Sequence, residues 1–178
     1  MLKETAEKLN NQAIMFASRG DYTEAIACFM RAITIENSNS LLWFNLGITC
    51  RDAGNLVGAR EALTKAYTIN DTDEEIIEAL ALVCFSLGDF MSALYYCEDG
   101  LDYNPHNPHL WNTLGVIHFN RRLYNEACSA FEQAISLNPY YYDALFNLRD
   151  TYSELGNKQG ESECIKRMKE IEKHGEPK

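Results

Sequence analysis

His106 and His109 sit three residues apart beside Trp111 in the stretch Asn104-Pro105-His106-Asn107-Pro108-His109-Leu110-Trp111. Imidazoles at that spacing can supply half of a zinc site, which then needs further ligands of suitable type converging on the same point. The neighbours here are Asn, Pro and Leu, so the stretch reads equally as a joint between two helices. His118, Cys50 and Cys84 raise a second possibility, because a thiol beside an imidazole is a pair that nucleophilic catalysis uses. Small or polar fillers of a core give the same residue types without chemistry. The six cysteines, at 28, 50, 84, 97, 128 and 164, include no C-x-x-C pair, and no G-x-G-x-x-G, Walker, G-x-S-x-G or H-E-x-x-H motif occurs. These residues supply no positive evidence for an enzyme, a metal or another cofactor.

The elements that must position these side chains follow from a repeat of 34 residues. Gly20-Asp21-Tyr22 with Ala25, Phe29 and Ala32 recurs as Gly54-Asn55-Leu56 with Ala59, Leu63 and Ala66. It recurs again as Gly88-Asp89-Phe90 with Ala93, Cys97 and Gly100, and as Arg122-Leu123-Tyr124 with Ala127, Phe131 and Ala134. Upstream of each lies a matching half: Leu9, Gln12, Ala13 and Phe16; then Trp43, Leu46, Gly47 and Cys50; then Ile77, Leu80, Ala81 and Cys84; then Trp111, Leu114, Gly115 and His118. Apolar residues three or four apart make each half a helix, and the Gly-centred turn ends one helix before the next begins. The small residues let the two backbones approach closely. One hairpin cannot bury its apolar face alone, so neighbours must stack.

This pattern resembles the tetratricopeptide repeat, W-x2-L-G-x2-Y followed by A-x3-F-x2-A and a proline, over repeats 6–39, 40–73, 74–107, 108–141 and 142–175 of one domain. The resemblance implies an all-α fold: a right-handed solenoid of antiparallel helix hairpins with a concave groove lined mainly by the first helix of each. In that frame Pro105 falls just past a helix end and Pro108 at the start of the next helix, where its missing N–H does no harm. The histidines then flank an inter-repeat turn. The fifth repeat departs from the pattern, with Arg149, Glu161 and Met168 in the three small slots. Either Arg149 and Glu161 form an ion pair across the hairpin, or the last helix slips register at Lys158-Gln159-Gly160.

The side chains expected to face the groove are Asn10, Asn11 and Ile14 in the first repeat and Leu41, Phe44, Asn45, Ile48 and Arg51 in the second. Glu75, Glu78, Leu82 and Phe85 follow in the third, His109, Asn112, Val116 and Phe119 in the fourth, and Phe146, Asn147 and Asp150 in the fifth. Their apolar and aromatic content would form an exposed strip of the kind that marks an interaction surface, unless the stack curls tightly enough for these side chains to cover one another. Asn11, Asn45 and Asn147 share one slot and Asn112 lies beside it; amides there can hold the backbone of an extended peptide whatever its sequence. This resembles the asparagine ladder of O-linked N-acetylglucosamine transferase, interrupted here by Ala79 and Thr113. The asparagines could instead hydrogen-bond within the stack. The clamp of chaperone-tail binders is disfavoured, because Glu75, Ala79 and Asn10 stand where basic residues are needed.

Charge sharpens the expectation about partners. The chain carries a formal charge of −10 and has no Lys or Arg between Lys65 and Arg121, an interval rich in Asp and Glu from Asp71 to Asp102. That argues against nonspecific binding to nucleic acid and to anionic membrane. It describes either a solvated face or an electronegative midsection that attracts a basic segment. The N-terminal MLKETAEKLNNQ has no apolar core of a secretory signal, and the apolar run from Ala79 to Phe85 is too short to span a bilayer. The expectation is a soluble, cytoplasmic, noncatalytic adaptor that holds an extended or helical segment of another protein. A structural subunit acting through self-association is the alternative.

Overall fold

The computed structural model describes residues 4–174, which form ten α-helices and, among the described residues, no strand. They are α1 (Ala6–Ala17), α2 (Tyr22–Ile35), α3 (Ser40–Asp52), α4 (Leu56–Ile69), α5 (Glu74–Ser86), α6 (Phe90–Tyr103), α7 (Pro108–Asn120), α8 (Tyr124–Leu137), α9 (Tyr142–Glu154) and α10 (Lys158–His174). The first helices of the hairpins start at 6, 40, 74, 108 and 142, each one period after the last. Among the described residues, no helix is long and apolar enough to cross a membrane.

Local chemistry sets these boundaries. Asn39, Asn55, Asp73 and Asn107 cap α3, α4, α5 and α7, each accepting a hydrogen bond from a first-turn N–H and so satisfying donors that a helix start leaves unpaired. Inside every hairpin the turn closes with the same bond, from the N–H of Asp21, Asn55, Asp89, Leu123 and Asn157 to the carbonyl five residues earlier, at 2.8–3.0 Å. That turn needs a left-handed residue. Gly156 supplies it at φ 70°, whereas Arg122 is forced to φ 61°, at a cost of roughly 1–2 kcal/mol for a residue with a Cβ.

The small slots work by close approach. A Cβ on Gly47 would stand 2.6 Å from Leu63 Cγ, and one on Gly115 2.5 Å from Phe131 Cε1. Ala13, Ala25, Ala59, Ala81, Ala93 and Ala127 fill their slots with no exposed surface.

The chain divides into two compact units, one ending at Ala93 and the other beginning at Leu94, within α6. In unit 1, α1 pairs with α2 and α3 with α4; α3 also packs on α2, and α4 on α5. In unit 2, α7 pairs with α8 and α9 with α10, while α8 packs on α9. Phe131, Leu145, Leu148, Cys164 and Met168 form the centre of a buried cluster in unit 2.

The fifth hairpin forms no Arg149–Glu161 pair. Arg149 reaches its neighbour Asp150 at 2.7 Å and lies 4.0 Å over the Phe146 ring. The helix α10 has instead turned its packing face: Gly160, not Glu161, takes the close approach, so that a Cβ there would lie 2.6 Å from Tyr152 Cδ2. Cys164 is buried and Ile165 exposed, although Ile165 holds the slot that Phe29, Leu63 and Phe131 occupy. The helix starts in phase, at Lys158, one period after Tyr124, and Met168 keeps its buried slot, so neither the ion pair nor a slip along the chain describes it: only its packing face is turned, towards Gly160 and Cys164.

Candidate peptide-binding faces

The histidine stretch is a joint. Asn107 accepts from the N–H groups of His109 (2.9 Å) and Leu110 (3.1 Å). Trp111 Nε1–H donates to the Pro105 carbonyl at 2.9 Å, as Trp43 does to Asn37 at 2.8 Å two repeats earlier. His109 Nδ1 lies 3.0 Å from the Tyr141 hydroxyl, and the two rings pack at 4.9 Å. The candidate thiols are not activated. Burial pushes the pKa of Cys50 and of Cys84 upward, away from the thiolate a nucleophile needs. Burial lowers that of His118, whose Nδ1 is enclosed without a hydrogen-bond partner.

The residues expected to line a groove are distributed over the first helices of both units. In unit 1, Asn45 donates to Asn10 at 3.0 Å, bridging α3 and α1; Asn11 beside them is exposed. Leu41 is 55% exposed and Ile14 47%. Phe44, Ile48, Glu78, Leu82 and Phe85 are half-buried and Glu75 is exposed. In unit 2, Asn147 donates to Asn112 at 3.0 Å, the same bridge between α9 and α7. Val116, Phe119, Asn147 and Asp150 come together around a recess of about 220 Å³, and Phe146 is 42% exposed.

Two expectations change in detail. The aromatic strip is narrower than the sequence implies, because the first aromatic residue of a following helix folds back on it: Phe90 packs on Phe85 at 5.7 Å and Tyr124 on Phe119 at 5.4 Å. Periodicity of the first helices alone does not show this covering. Asp150 is less electronegative than expected, since Arg149 neutralises it at 2.7 Å.

A larger cleft, about 770 Å³, lies elsewhere in unit 1, between α2 and α4 over α3, with Met30, Trp43, Leu46 and Cys50 among its lining residues. Its signal in the sequence is Cys50 in a slot for tyrosine.

Stacked helical hairpins with small residues at each close approach define a tetratricopeptide-repeat protein, and the model of the tetratricopeptide repeat matches residues 108–141. The family model described as the CABIN1 N-terminal domain matches residues 2–109, more than half of the chain, and the chain belongs to that family. It is 28% identical over 134 residues to the BBSome complex member BBS4 of Bos taurus, an alignment covering 75% of this chain and 26% of that one. The chain spans between 15% and 29% of the lengths of the first three curated relatives it matches. Among solved structures, MamA superposes with a TM-score of 0.80 at 20% identity, covering 97% of each chain. YrrB, described as a TPR protein with an unusual peptide-binding site, superposes with a TM-score of 0.70 at 20% identity, covering 94% of this chain and 86% of its own. Likeness at that identity shows the fold, an all-α solenoid.

Proposed function

We propose that the chain is a noncatalytic adaptor whose first-helix faces hold a segment of a partner protein. The observation that carries this reading is the grouping of Val116, Phe119 and Asn147 around one recess in unit 2, with the Asn112–Asn147 bridge beside it. The bridge uses one N–H of Asn147 and one lone pair of Asn112, so amide donors and acceptors remain for a peptide backbone. Exposed Leu41 and Phe146 add apolar contact area. Exposed Glu75 and the charge of −10 favour a partner segment of basic character over an acidic one. Peptide binding named for the YrrB neighbour, and membership of a complex named for the BBS4 relative, point the same way. Free cysteines, five of them buried, fit a reducing, cytoplasmic setting.

Asn147→Ala together with Phe146→Ala tests the reading by co-precipitation of partners from the source cell, identified by mass spectrometry. Both side chains lie outside the fully buried core, so helicity by circular dichroism stays unchanged while specific partners are lost. Undiminished capture by the double variant rejects the first-helix face.

A further inference from the structure

One residue on the floor of the unit 1 cleft differs in size from its counterpart in unit 2. Cys50 on α3 occupies the slot that Tyr152 fills on α9, three periods later. In unit 2 the Tyr152 ring lies against Gly160, and its hydroxyl donates to Glu132 at 2.7 Å. Both neighbours have counterparts in unit 1: Gly58 stands in the slot of Gly160, and Met30 in that of Glu132. Gly58 and Met30 both line the cleft. Unit 1 therefore has no ring in this slot, and at Gly58 the Asn55 side chain lies closest, 2.5 Å from where a Cβ would stand. The missing ring accounts for part of the cleft, whose volume of about 770 Å³ lies within the roughly 300–1,000 Å³ of ligand pockets.

The lining chooses between occupants. Its floor is Trp43, Leu46 and Cys50, and the indole is fixed by its bond to the Asn37 carbonyl, so the floor is formed before anything binds. Met30 on the wall is 57% exposed, and a thioether there makes favourable contact with an aromatic ring. The α4 side adds Arg60 and Lys65 against one acid, Glu61. Among the described residues, the ion-pair partner of Arg60 is Asp89, at 3.9 Å. Two cations lining an apolar cleft, in a chain of net charge −10, set this place apart from the acidic stretch that follows it.

We propose that the cleft between α2 and α4 is a second docking site, which takes an aromatic side chain of a partner protein segment flanked by acidic residues. The ring enters over Cys50, in the slot that the chain's own tyrosine fills in unit 2, and the flanking carboxylates meet Lys65 and Arg60. The site is independent of the first-helix faces and selects the opposite charge, so one adaptor would join two unlike partners.

The test uses a fluorescein-labelled peptide with one central tyrosine between pairs of aspartates, followed by fluorescence anisotropy against the full chain. Saturable binding is expected. Alanine for the tyrosine, or lysine for the aspartates, should weaken it by at least about tenfold, the factor that 1.4 kcal/mol represents. Cys50→Tyr should abolish binding by supplying the ring from within. Met30→Glu, at an exposed position that does not endanger folding, should weaken it at least severalfold, and it stands in for Cys50→Tyr should that variant fail to fold. Absence of saturable binding, equal binding of the lysine-flanked peptide, or full affinity in folded Cys50→Tyr or in Met30→Glu overturns the proposal.

Discussion

The slot of Cys50 in unit 1 and that of Tyr152 in unit 2 stand on equivalent helices, but the first has Met30 as its neighbour where the second has Glu132, and the two surfaces differ. The thiol is part of the floor of a cleft of about 770 Å³. The phenol fills its own place and is tied down by Glu132, which also accepts from the Cys128 thiol at 3.3 Å. A repeat backbone thus settles where a side chain stands, while its volume settles whether that place is core or cleft.

Tyr152→Ala should open a matching cleft in unit 2 and has the largest expected effect. Losing a half-buried ring and its hydrogen bond costs about 2 kcal/mol, below the range for fully buried aromatics. Urea unfolding measures it, and a loss under about 0.5 kcal/mol would mean the phenol is not what holds the last hairpin.

Arg122→Gly should act next, with the opposite sign. Glycine in the left-handed turn relieves roughly 1 kcal/mol of strain, placing unit 2 on the same footing as the Gly20, Gly54 and Gly88 turns of unit 1. A melting temperature that fails to rise would show that the arginine side chain compensates for its backbone.

The smallest effect concerns pH. Burial, followed by the hydrogen bond to Glu132, raises the Cys128 pKa from 9.0 to about 11. The native state then binds this proton more tightly than the unfolded chain does, so stability is fully present below pH 9 and declines as pH rises towards 11. Tyr152, also shifted upward by burial and Glu132, adds to the decline. Cys128→Ala should flatten the alkaline fall in thermal midpoint relative to the parent protein; identical curves for the two would remove the thiol as its source.

Much of the fold was legible because the repeat is a local code. Each boundary rests on a cap or a turn within a few residues, as at Asn107 or Gly156, and the close approaches at Gly47 and Gly115 leave a mark in residue size. The fifth hairpin was only half legible. Arg149 and Glu161 signalled a departure from the pattern, but an ion pair, a slipped helix and a turned packing face are all consistent with those letters. Space decided between them, since Gly160 offers the approach that Glu161 cannot. Of the candidate binding residues, the Asn112–Asn147 bridge turned one stated alternative for the asparagines into an observed contact. The covering of Phe85 by Phe90 and of Phe119 by Tyr124 needed coordinates.

By itself the sequence determined the helix hairpins, their period and the family likeness, since capping, turn geometry and apolar spacing act between residues near in the chain. Only the tertiary structure decided which aromatic residues stay uncovered, which carboxylates keep their charge free, and that a cleft opens over Cys50. Those properties depend on volumes contributed by several helices at one point, and no single stretch of chain contains that sum.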